Sequence, residues 1–177
     1  QDGYITVVPS KGFMLRNLNE KDMLETIQIR CAIEGFCAQM AAAEIESKKG
    51  QKLLAELRKL LERQEKVLLA PNGPSEDNIR SGSWNKTSMS QFMDYDHKFH
   101  LALINYAGNE EFQHTFQRLM YLIQLTTAGA LAVPGRTEDT LREHKLIFQY
   151  LEEGRGEEAY KLMMVHLMMP LTMHLTD

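Results

Sequence analysis

The chain has 177 residues, 24 acidic and 20 basic, for a formal net charge of −4, and it is 44% hydrophobic and 25% charged. That length suits one ordinary domain with an adequate core, and the composition excludes collagen-like, low-complexity, disulfide-scaffold and wholly disordered classes. A mildly acidic chain is a poor candidate for unaided binding to nucleic acid.

The first eighteen residues read differently from the rest. Two β-rich runs, Tyr4–Val8 and Phe13–Leu15, flank Pro9-Ser10-Lys11-Gly12, where proline presets φ and glycine supplies positive φ for a hairpin turn. An isolated hairpin is marginal in water, so this one is expected to belong to something larger or to pack as an arm on its own domain.

From Asn19 onward, caps and apolar spacing predict helices. Asn19 is an N-cap with Asp22 three residues on, and Met23, Ile27, Cys31, Ala38, Ala41, Ala42 and Ile45 recur at helical spacing before Gly50, the expected stop. Leu53, Leu54, Leu57, Leu60, Leu61 and Leu68 mark a second helix ended by Pro71, and residues 71–83 read as loop. A third helix is expected over about Ser88–Ala107. A fourth, capped by Asn109, carries Phe112, Phe116, Leu119, Met120 and Ile123 on one side. A fifth is capped by Thr137, and a sixth runs from Ala159 to about Thr172, where Pro170 should kink or end it. The predicted fold class is all-α, an antiparallel bundle of six to seven helices.

Cys31 and Cys37 stand six residues apart in one helical stretch, about 9 Å along the axis and on different faces, so a mutual disulfide is not expected. They read as small buried hydrophobes in a reducing cytosol. No basic-then-apolar leader opens the chain and no apolar run of about 18 residues occurs, so a cytoplasmic protein without a membrane partner is expected.

Projection at 100° per residue places several polar side chains on apolar faces. In the third helix Phe92, Tyr95, Phe99, Leu103 and Tyr106 form the stripe, and Asp96 and His100 fall in or beside it. Spaced i, i+4, these two are either a hydrogen-bonded pair or two ligands of one metal. His144 falls between Leu141, Phe148 and Leu151, and His166 lies amid Ala159, Leu162, Met163 and Met169. A lone inward histidine is ordinarily a satisfied imidazole. Three of them with an aspartate, on three helices, would be satisfied together by one divalent metal. His97, His114 and His174 fall outside this set. No glutamate is expected on an inward face beside these motifs and no His-Glu-x-x-His occurs, which argues against a metal-dependent enzyme.

Arg30-x-x-x-Glu34, Asp96-His97-Lys98-Phe99-His100, Ala107-Gly108-Asn109, Glu143-His144 and Val165-His166-Leu167 follow one another in this order. Together they resemble the motifs of the C-terminal ligand-sensing (FCD) domain of FadR-type transcription regulators in the GntR family, over about residues 20–175. The resemblance implies an effector-binding and dimerisation domain over residues 19–177, working as a homodimer. It implies a divalent metal held by Asp96, His100, His144 and His166, with zinc the first expectation and nickel or manganese the alternatives. It also implies a small organic acid as effector, in a pocket enclosed by the bundle, and operator DNA as partner of an N-terminal winged helix-turn-helix. Residues 1–18 resemble the wing hairpin and exit strand of that DNA-binding domain, without the helices that precede it. The chain as given is therefore not expected to bind an operator specifically.

Three further residues are candidates for the pocket wall. Arg30 would clamp a carboxylate bidentately or pair with Glu34 at i, i+4. Thr126 and Thr127, near Ile123 on the inner side of the fourth helix, would line the pocket or hydrogen-bond their own backbone. The methionines read as adaptable core filler or pocket lining. Two other readings stand beside the sensor: a metal-dependent enzyme on a helical bundle, and an interaction module with a closed, purely structural metal.

Overall fold

The computed structural model describes residues 5–8, 12–15 and 19–173. Among them two short strands precede seven helices. β1 (Ile5–Val8) and β2 (Gly12–Leu15) pair antiparallel, with Ile5 opposite Leu15 and Val8 opposite Gly12. The turn expected between them lies outside the described residues, as does His174.

α1 (Glu20–Ala43) starts at the expected cap: the Asn19 side chain accepts from the Asp22 N–H at 2.8 Å and Asp22 answers toward the Asn19 N–H, a capping box. The helix ends at Ala43, well before Gly50. Ser47 is the cause, because it caps a new helix, α2 (Lys48–Leu68), by accepting from the Gly50 N–H at 2.9 Å. Gly50 thus lies in the first turn of α2 rather than at a helix end. A side chain there would run into the carbonyl oxygens of Glu44 and Ile45.

The segment 71–83, expected as loop, holds α3 (Glu76–Ser81). Ser75 caps it, Gly82 closes it in the left-handed region at φ 72°, and Asn78 Nδ2 donates to the carbonyls of Pro71 and Gly73. Six residues without an apolar period leave no hydrophobic pattern to find. α4 (Lys86–Ala107), capped by Asn85, and α5 (Glu110–Leu131), capped by Asn109, follow. α6 (Arg136–Glu152) takes Gly135 rather than Thr137 as its first half-helical residue. Thr137, two positions too deep to cap, donates instead to the Pro74 carbonyl at 2.6 Å and fastens the α3 segment to α6. α7 (Gly156–Met173) continues through Pro170 for three more residues, so the expected end lies beyond it.

α1 packs along α7 and against α4, α5 and α6, while α2 lies across α4 and α6. The close approach of α1 and α7 rests on small residues. Ala38 and Ala42 are buried, and a Cβ on Gly35 would meet Met164 Cε at 2.5 Å. Leu57, Phe92, Phe99, Leu103, Ile147, Leu151 and Met163 form the centre of one continuous core. The polar side chains singled out in the sequence are embedded in this layer, and among the described residues no helix is long and apolar enough to cross a membrane.

Candidate metal centre

Three helices bring four side chains to one point. Asp96 and His100 stand one turn apart on α4, His144 comes from α6 and His166 from α7, and one ligand atom from each lies within 4.8 Å of all the others. The imidazole Nε2 atoms of His100, His144 and His166 are 3.2–3.3 Å apart, and Asp96 Oδ1 is 3.6 Å from His144 Nε2. All four residues are buried.

The opposite edge of each ring fixes its tautomer. His166 Nδ1 faces Glu143 Oε2 at 2.6 Å, His144 Nδ1 faces Gln64 Oε1 at 3.1 Å, and His100 Nδ1 faces Glu34 Oε2 in a very short contact. An oxygen acceptor requires the proton on Nδ1, which leaves each neutral ring with a lone pair on Nε2. Three lone pairs and a carboxylate oxygen then converge in a buried, low-dielectric interior, where they repel one another unless a cation lies among them. The spacing suits such an ion. Metal–nitrogen bonds of about 2.0–2.1 Å separate two nitrogens by about 3.0 Å at a right angle and about 3.4 Å at the tetrahedral angle.

Electrostatics reinforce this tautomer pattern. Burial works to raise the Glu34 pKa, but the Arg30 charge and then His100 outweigh it and hold the carboxyl at about 2. Glu143 is likewise held at about 2 against its burial, by hydrogen bonds from His166 and Arg136. Burial, and then the neighbouring His166 and His100, push His144 well below the ordinary imidazole value, and burial lowers His166 despite Glu143. Phe99 stacks on the His144 ring at 4.2 Å between centroids and 12° between planes, which sets the orientation of that ring.

Both glutamates depart from the sequence expectation that no inward glutamate adjoins the ligand motifs. Each is tied down on two sides. Glu34 accepts from Arg30 Nε at 2.7 Å as well as facing His100, and Glu143 takes both Nη groups of Arg136 at 2.8 Å as well as facing His166. A signal for Glu34 existed, since Arg30 and Glu34 sit at i, i+4 on a face shared with Cys37, Ala38 and Ala41. Gln64, equally unanticipated, interrupts the leucine stripe of α2 between Leu61 and Leu68.

The pocket candidates divide. Arg30 pairs with Glu34 through Nε, lies over the Phe116 ring at 5.9 Å, and lines open space. Thr126 donates to the Leu122 carbonyl of its own helix at 2.8 Å, which satisfies its hydroxyl there. Thr127 lines open space. A chamber of about 30 Å³ adjoins His100 and His166, with Arg136 and Thr140 in its wall. A cavity of about 570 Å³ lies between α4 and α5. Arg30, Asp96 and Thr127 line both spaces.

Residues 25–168 match the family model described as FCD domain. Over 166 residues the chain is 24% identical to the Uncharacterized HTH-type transcriptional regulator YdhC of Bacillus subtilis (strain 168), taking in 94% of this chain and 66% of that protein. The chain thus spans just under two thirds of that curated relative. Among solved structures it is similar to the metal-free FCD domain of TM0439, with a TM-score of 0.63, 22% identity, and coverage of 88% of this chain and 92% of that one. At that identity the likeness shows the fold alone.

Proposed function

The chain belongs to the FCD domain family, and we propose that it is the effector-sensing and dimerisation domain of a DNA-binding transcription regulator of the GntR/FadR type. The observation that carries this reading is the convergence of three imidazole lone pairs and the Asp96 carboxylate beside a cavity that Arg30 also faces. Asp96, His100, His144 and His166 would hold a divalent metal, zinc first among the candidates, and the ion would supply positive charge at the inner end of the cavity. Arg30 adds a buried guanidinium that lines the same cavity. Both features select an anionic group, and a small organic acid is the simplest ligand that satisfies them in a low-dielectric site.

The role proposed is recognition without turnover. A metal-dependent hydrolase needs a base free to take a proton from water. Glu34 and Glu143 are each held ionised by an arginine and committed to a ligand imidazole, so they orient rings rather than accept protons.

Homodimer formation is supported by apolar side chains left open on the packed α1–α7 pair, with Phe36 50% and Val165 55% exposed and Ile29, Tyr160 and Met168 exposed as well. The two free thiols, Cys31 and Cys37, suit a reducing cytoplasm. Residues 1–18 are read as the wing remnant of the DNA-binding domain. Effector binding would shift the placement of two such domains and so change operator affinity.

The test is operator affinity of a chain carrying the helix-turn-helix ahead of this domain, measured with the metal-loaded protein with and without a bound carboxylate. A change of at least severalfold is expected. Unchanged affinity with a demonstrably bound carboxylate would remove the sensor role.

A further inference from the structure

The two spaces beside the histidines differ in size and in wall chemistry. The inner chamber, about 30 Å³, has room on the order of one or two water-sized groups and is walled by Arg136, Thr140, His100 and His166. The outer cavity, about 570 Å³, falls in the range of drug-sized ligand sites. One stretch of its wall is apolar: Met89 and Ile123 are buried, and Trp84 and Met93 are half-buried. Leu125 and Ala128 continue that wall to the exposed rim. Ser90, His97, Tyr121 and Gln124 share the lining; Lys86 and Asp94 are exposed, and Asp94 is paired with Lys98 at 2.6 Å.

From this we infer that the ligand is bipartite: a single compact carboxylate at the threshold formed by Arg30, Asp96 and Thr127, and an apolar body that fills the outer cavity against Trp84, Met89, Met93 and Ile123. The inference rests on the sensor reading above and narrows its ligand class. A di- or tricarboxylate of few carbons would leave most of the outer cavity to water against Trp84, Met89, Met93 and Ile123. A monocarboxylate with an apolar chain matches both halves. Methionines suit such a wall because their unbranched thioethers adapt to the shape of the chain.

Trp84 makes the outer cavity observable, since it is the only tryptophan of the chain. The zinc-loaded protein is titrated with acetate, butanoate, hexanoate and octanoate by calorimetry, with Trp84 emission followed in parallel. Zinc binding is measured separately at the outset. Affinity is expected to rise about two- to fourfold for each added methylene, and octanoate is expected to shift Trp84 emission to shorter wavelength and shield it from iodide. Ala128→Phe, an exposed position on the cavity wall, is expected to flatten the gain between hexanoate and octanoate. If zinc and the carboxylates bind but affinity is independent of chain length, the bipartite ligand is overturned and the sensor reading stands. A chain-length gain that leaves Trp84 emission and the Ala128→Phe variant indifferent places the chain elsewhere and equally overturns it. Failure to bind zinc overturns both together.

Discussion

His166 Nδ1 lies 2.6 Å from Glu143 Oε2, and that one contact decides which nitrogen of the ring is left to face the cluster. The carboxylate demands the proton on Nδ1, so the Nε2 lone pair points toward His100 and His144. Arg136 holds Glu143 from behind with two hydrogen bonds of 2.8 Å, which keeps the acceptor ionised and in place. Tautomer and ring orientation therefore come from residues outside the cluster of Asp96, His100, His144 and His166.

Glu143→Gln tests that dependence. The amide still accepts from Nδ1, but the negative charge is gone and Arg136 loses its ion pair. Zinc affinity, measured by competition with a chelator, is expected to fall about 10- to 100-fold while the helical circular dichroism is retained. An unchanged affinity would mean that Glu143 serves Arg136 alone.

Much of this arrangement was legible beforehand because the polar ligands sit on strong apolar stripes. Asp96 and His100 interrupt the row of Phe92, Phe99 and Leu103, and helical projection finds such an interruption without any knowledge of the partner helices. The residues behind them were harder to see. Glu34 reads locally as an i, i+4 partner of Arg30, and only the packing of α1 on α4 reveals that its second oxygen faces His100. Gln64 reaches His144 across 80 positions of sequence, a contact that no local pattern encodes. Helix ends failed for a related reason: Ser47 competes with Gly50, and the winner depends on the approach of the Glu44 and Ile45 carbonyls. α3 is too short to show a period, and Thr137 proved to be a tie to Pro74 instead of a cap.

The converging lone pairs predict a stability response to metal. Zinc held at this cluster would favour the folded chain over the unfolded one, so at a free concentration 100 times its Kd it should stabilise the fold by about 2.7 kcal/mol. The melting temperature is expected to rise accordingly in calorimetry. His144→Ala, which removes the central ring, should abolish the rise. A rise of the same size in the variant would locate the ion elsewhere.

The metal-free protein is expected to lose stability on acidification in two stages. His144 and His166 are held below 6.5 in the fold, first by burial, so the unfolded chain binds more protons than the folded one as pH drops beneath 6.5. Glu34 and Glu143 are held at about 2 against an ordinary 4.5, their ionic and hydrogen-bonding partners outweighing burial, and give the same sign lower down. Stability is thus fully present above pH 6.5, declines below it, and declines again from 4.5 toward 2. Urea titrations at constant ionic strength from pH 8 to pH 3 would show this, and a stability that stays flat between pH 7 and pH 5 would contradict the histidine assignment.

Thr137 offers a test of how the wall of the outer cavity is held. Its buried hydroxyl donates to the Pro74 carbonyl at 2.6 Å, and Glu138 accepts from the Glu76 N–H at 2.6 Å, so the first turn of α6 grips the segment that leads through α3 to Trp84. Thr137→Val keeps the volume and removes the donor, leaving the Pro74 carbonyl without that partner. A cost of about 1–3 kcal/mol is expected in urea unfolding. Because the carbonyl belongs to a segment with few buried apolar groups of its own, the loss should be felt first as local opening. Amides of residues 76–85 should exchange with solvent faster than in the parent, while those of α4 beyond Phe92 keep their protection. Uniformly faster exchange would instead mean that the hydroxyl supports the whole bundle, and that α3 is anchored by its other contacts.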